Sequence, residues 1–108
     1  MTSETFEQIL RLVELGDVRV SDHGYDELAA DGLSARECIA SVRDGTVVED
    51  YPDYAKGPCV LLLQADGQGR PIHVLRGVPK GRSSPAVLVT AYRPDPKRWE
   101  ADLLRRTT

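Results

Sequence analysis

The sequence predicts an α+β domain in which N-terminal helices pack on an antiparallel β-sheet meander, with one further helix at the C-terminus. Three observations predict it. Apolar residues recur at helical spacing up to about residue 45. Runs of alternating or continuous aliphatic residues follow, separated by Gly- and Pro-rich turns. No strand–helix–strand alternation occurs, which separates this pattern from parallel α/β folds. The 108 residues suit one domain spanning 1–108.

The first helix is expected from Ser3 to Leu15, with Phe6, Ile9, Leu10 and Val13 on its apolar side, Ser3 as N-cap, and Gly16 as its stop. Val18 to Ser21 reads as a short extended piece. Ser21 or Asp22 caps a second helix to Asp31, with Tyr25, Leu28 and Ala29 as its stripe. Ser34 caps a third helix and Glu37 completes a capping box; Ala35, Cys38, Ile39 and Val42 face inward. The period then changes. Thr46 to Glu49 is a short strand, and Cys59 to Ala65 is a strand buried on both faces. A DGQG turn leads into a returning strand, Arg70 to Val78. A basic loop, Pro79 to Pro85, precedes a third long strand, Ala86 to Tyr92. Pro96 opens the final helix, which turns Trp99, Leu103 and Leu104 inward.

The net charge of −3 conceals a polarity. Residues 1–69 hold 5 Lys/Arg and 14 Asp/Glu, or −9; residues 70–108 hold 9 and 3, or +6. The basic half fits a polyanion or an acidic partner, or the two halves neutralise each other across the fold. No apolar run reaches membrane-spanning length, and MTSETFEQIL has neither a basic leader nor an apolar core, so a cytoplasmic protein is expected. Cys38 and Cys59 read as reduced, buried small residues. The histidines and cysteines lack metal-ligand spacing, and no Gly-rich phosphate loop is present, so neither metal nor cofactor is expected.

Four side chains are candidates for catalysis. His23 has Asp26 and Glu27 on its own helix face, an arrangement that orients an imidazole. Strand alternation places His73 opposite Ile72 and Val74, facing outward near Arg70 and Arg76. Arg76 shares parity with Ile72 and Val74, so either a bulge turns it outward or it is buried with a partner. Tyr92 shares a face with Leu88 and Thr90 and offers a hydroxyl or a stacking ring. Lys80, Arg82, Arg93, Lys97 and Arg98 surround Tyr92 and Trp99, a basic and aromatic combination that suits RNA. Each feature also has a plain reading: a local helix histidine, a paired strand histidine, a packed tyrosine and a solvated charge run.

The segments VSDHGYDELAADGLS, VVEDYPDYAKGPCVLLL, GRPIHVLRGVPKG and VLVTAYRPDPKRW occur in an order that resembles the domain-of-unknown-function family numbered 4258, over roughly residues 18–100. That family is grouped with RelE-like (barnase–colicin–RelE type) toxins. The resemblance implies helices on an antiparallel sheet, a metal-independent endoribonuclease acting on RNA, and a zinc-finger antitoxin as partner. It matches His23, His73 and Tyr92 to family motif positions. Where many members place arginine four residues after the first histidine, this chain has Glu27. That departure favours a second expectation, a non-catalytic protein-binding module of the same fold.

Overall fold

The computed structural model describes residues 3–107. Helix α1 (Glu4–Glu14), strand β1 (Val18–Val20), helix α2 (Asp22–Ala30) and helix α3 (Ala35–Ala40) come first. A 3₁₀ turn (Ser41–Asp44) leads into β2 (Thr46–Tyr51), β3 (Cys59–Ala65), β4 (Pro71–Gly77) and β5 (Ala86–Tyr92). The expected caps form. The side chains of Ser3, Ser21 and Ser34 accept from the amides of Phe6, Gly24 and Glu37, satisfying donors that a helix start leaves free.

The sheet order is β1-β5-β4-β3-β2. Strands β2 to β5 pair antiparallel in succession, but β1 pairs parallel with β5. The sheet is therefore mixed, not purely antiparallel as expected. Three residues at Val18–Val20 give no local sign of strand direction. It is fixed by Ser21, whose amide bonds Leu88 O at 3.0 Å and whose hydroxyl donates to Val89 O at 2.9 Å.

The helices cover one face. Ile9 and Leu12 of α1 and Val42 pack on Val60 and Leu62. Leu28, Leu33 and Cys38 pack on Ile72, Val74, Leu88 and Ala91. Helix α2 comes unusually close to β5 because Gly24 has no side chain: a Cβ there would lie 2.9 Å from Leu88 O. The helix meets the sheet through Gly24 and Leu28, while Tyr25 and Ala29, expected to be buried, are exposed.

The expected C-terminal helix does not form, and β5 is the last regular element among the described residues. Residues 94–107 are a strap of turns closed by a bridge between Trp99 and Arg106. The side chains of Asp95 and Asp102 accept from the amides of Lys97 and Leu104, which locks turns in place of helix. Leu103 has φ 61°, which a helix cannot hold. A helix this short gains little from propensity. Burying Trp99 against the sheet outweighs it.

No helix among the described residues is long and apolar enough to cross a membrane. Both cysteines are free and buried, and burial pushes their thiols above the ordinary range.

Candidate functional site

The face of the sheet away from the helices is the open face. Ladder partners share a face, so pairing sorts the side chains. Glu49 and Tyr51 stand opposite Leu61 and Cys59; Leu63 stands opposite His73, and Leu61 opposite Leu75. His73 and Leu75 in turn stand opposite Tyr92 and Thr90. The β4–β5 register shifts here: Leu75 pairs with Thr90, but Arg76 with Leu88, so Val89 is left over. This bulge reverses the parity of β5. Leu88 faces the helices while Thr90 and Tyr92 face the other way, correcting the expectation that the three share a face.

The strap crosses this face at His73. That imidazole is buried, not solvent-facing as expected. Its Nε2 lies 2.8 Å from Leu103 O, and its Nδ1 lies 3.3 Å from the Tyr92 hydroxyl. A carbonyl only accepts, so Nε2 carries the hydrogen and Nδ1 accepts from Tyr92. Trp99 meets the ring edge-on with centroids 4.3 Å apart. Burial is the main force holding the His73 pKa below its ordinary value, so the ring is neutral. It serves as a strut between sheet and strap.

Beside it lies a group that the sequence did not single out. The Arg106 guanidinium grips Glu49 with two bonds, Nε to Oε2 at 2.8 Å and Nη2 to Oε1 at 3.0 Å. Tyr51 donates its hydroxyl to Glu49 Oε1 at 2.7 Å. The guanidinium carbon lies 4.7 Å from the Trp99 ring centroid. The Arg106 bond, then that of Tyr51, hold the Glu49 carboxyl below its usual range despite desolvation. The same bond pushes the Tyr51 hydroxyl up, and burial does so for Tyr92. Glu49 and Arg106 are 57 positions apart, so no local pattern linked them.

Two clefts meet at Tyr92 and Arg106. One, of about 240 Å³, is lined by Glu49, Tyr51, Leu61, Leu75, Thr90 and Tyr92 together with Arg106. The other, of about 300 Å³, is lined by Tyr92, Arg93, Asp95, Arg98, Trp99 and Arg106. A third, apolar cleft of about 320 Å³ continues from Leu75 to Val87, Val89 and Tyr54.

The four expected catalytic side chains do not converge. His73 and Tyr92 touch. Arg76 lies on the helix face with 1% exposure. Its Nε donates to Gln64 Oε1 at 3.2 Å and its Nη2 to Cys38 O, and among the described residues no carboxylate pairs with it. Desolvation lowers its pKa to about 10. It anchors α3 to the sheet and is remote from the open face. His23 is on the solvent side of α2, across the sheet from His73, with its Nε2 3.6 Å from Glu27.

The expected basic cluster also divides. Arg93, Lys97 and Arg98 follow Tyr92, whereas Lys80 and Arg82 lie in the loop at the opposite end of β5. The seven residues of β5 separate the two groups, roughly 20 Å along the strand. Arg93 is tied to Asp66 at 3.0 Å. Asp66, at the β3–β4 turn, is held at about 2 by the Arg70 amide first, then by the Gln68 amide and Arg93. Among the described residues, three ion pairs join the acidic and basic halves: Asp66 with Arg70 and Arg93, and Glu49 with Arg106. Among the described residues, Arg98, Lys97, Lys80 and Arg82 make no ion pair. No group of three or more described His, Cys, Asp or Glu side chains is arranged to hold a metal.

A family model described as a domain of unknown function (DUF4258) matches residues 20–93. Its match runs from the end of β1 to the residue after β5 and stops before the strap. No curated protein and no solved structure matches the chain.

Proposed function

The chain belongs to the DUF4258 family, and from that premise we propose that it is a cytoplasmic, metal-independent endoribonuclease, the RelE-like toxin of a toxin–antitoxin pair. RNA lies along the open face of the sheet. The observation that carries this reading is the cleft of Tyr92, Arg93, Arg98, Trp99 and Arg106, which adjoins the Glu49 carboxylate. Cations and aromatic rings suit phosphates and bases. Cleavage then needs a base for the 2′-hydroxyl, stabilisation of the phosphate and an acid for the leaving oxygen. Ionised Glu49 takes the 2′ proton once Arg106 swings off it. Arg98 faces the phosphate. The 2′ oxygen bonds to phosphorus as the 5′ oxygen leaves, and Tyr92 returns a proton to that oxygen. The products carry a 2′,3′-cyclic phosphate and a 5′-hydroxyl. This site shifts catalysis from His23, His73 and Arg76 to Glu49, Tyr92 and Arg98. A zinc-finger antitoxin is the partner that fits this role.

The test is incubation of the purified chain with a labelled RNA in the presence of a chelator. Cleavage that leaves cyclic phosphate ends, reduced about 100-fold or more by Glu49→Gln, supports the proposal. Intact RNA, together with unimpaired growth of cells expressing the chain, overturns it. The apolar cleft from Leu75 to Val89 favours a second reading, a non-catalytic protein-binding module. That reading predicts inert RNA and a stable complex lost on substitution of Val89 by aspartate.

A further inference from the structure

We propose that Glu49, Tyr51 and Trp99 form a guanidinium receptor, that Arg106 is its displaceable internal ligand, and that an arginine side chain of a partner protein takes its place. This goes beyond the RNA reading and does not depend on it.

The geometry is that of recognition rather than of a casual surface pair. Both carboxylate oxygens of Glu49 are engaged by one fork, the arrangement that distinguishes arginine from lysine. The Tyr51 hydroxyl fixes Oε1 from a third direction. The Trp99 ring supplies a cation-binding surface 4.7 Å from the guanidinium carbon. A carboxylate and an aromatic face on one cation make up a binding site for that cation. Its two halves are unequally exposed: the Glu49 side chain is 23% accessible and that of Arg106 60%. The receptor is set into the sheet, whereas the ligand stands in solvent near the end of the described chain. Next to it, the 240 Å³ cleft over Leu61 and Leu75 gives an incoming stem or neighbouring side chain an apolar floor.

Trp99 is the chain's single tryptophan, so its fluorescence reports occupancy directly. The experiment titrates N-acetyl-arginine amide into the Arg106→Ala variant, with N-acetyl-lysine amide and sodium chloride as controls. The expected result is a saturable change in Trp99 emission in roughly the millimolar range. Lysine amide should bind at least about fivefold more weakly, and adding Glu49→Gln should abolish the response. Wild type should respond only at higher concentration, because Arg106 competes. If Arg106→Ala fails to fold, Arg106→Lys keeps the charge and loses the fork, and the same selectivity is expected of it. A linear response, or one equal for arginine, lysine and salt, in a variant whose circular dichroism matches wild type would overturn the proposal. Because RNA cleavage is assayed on wild type without arginine, failure here leaves that reading standing.

Discussion

Replacing Trp99 by alanine tests whether the strap is a cooperative part of the fold. Trp99 is 4% exposed. A buried tryptophan removes roughly 150–250 Å² from water, worth roughly 4–6 kcal/mol at about 25 cal/mol per Å². The alanine keeps the Cβ, and aromatic-to-alanine changes in packed sites cost about 3–5 kcal/mol. Loss of the Arg106 contact adds about 0.5–1 kcal/mol. The strap would then hold on by the His73–Leu103 bond and the Glu49–Arg106 pair, together about 1–3 kcal/mol. Ordering its backbone costs roughly 1 kcal/mol per residue, so it should detach. Urea unfolding followed by circular dichroism should show a loss of about 3–5 kcal/mol for Trp99→Ala, and a smaller one for Trp99→Phe. Trypsin should cut the variant early at Arg98, Arg105 and Arg106. A loss under about 1 kcal/mol with an unchanged tryptic pattern would refute the account of Trp99 as the strap's anchor.

Acid should weaken the protein in two stages. The pKa of His73 is lowered on folding from an ordinary 6.5, so the unfolded chain binds more protons and stability falls as pH drops below about 6.5. Glu49 and Asp66 are depressed carboxyls with ordinary values of 4.5 and 3.8, and their contributions are lost only below those values. Unfolding at pH 7.5 and pH 5.5 therefore isolates His73, and His73→Gln should flatten that difference. Gly24→Ala should cost about 1–3 kcal/mol, because its Cβ meets Leu88 O at 2.9 Å; a neutral result in thermal unfolding would mean that α2 can shift. His23→Ala should change stability by no more than about 0.5 kcal/mol and leave RNA cleavage intact, since His23 stands in solvent across the sheet from Tyr92; a lost activity would return His23 to the site.

Much of the architecture was legible because its signals are local. The aliphatic runs place β3 at Cys59–Ala65 and β5 at Ala86–Tyr92, as observed. Serine caps mark the three helix starts. What escaped was non-local. The parallel pairing of β1 depends on Ser21 reaching Leu88 and Val89. The bulge at Val89 reverses the facing of Leu88 against Tyr92, and nothing in AVLVTAY marks it. His73 was placed on the correct face, but its burial is the work of Trp99 and Leu103, in a segment read as helix. Tyr92 was singled out by the sequence, and it lines two clefts of the open face. Glu49, Tyr51 and Arg106 were not, since their meaning lies in contacts across the fold.

The pairing of β1 with β5 has a consequence for how the chain is made. Synthesis runs from the N-terminus, and Val18 has to wait for Ala86, its ladder partner 68 residues later. A nascent chain ending before β5 leaves Ser21 without the carbonyls of Leu88 and Val89, and leaves Gly24 and Leu28 of α2 without the surface they rest on. Strands β2 to β4 can zip together as they emerge, but the edge that receives β1 exists only when β5 has left the ribosome. Such long-range closure is slow relative to local pairing. The open face, together with the strap that crosses it, is thus completed only once β5 and residues 94–107 have been made, and any activity it carries arises only then.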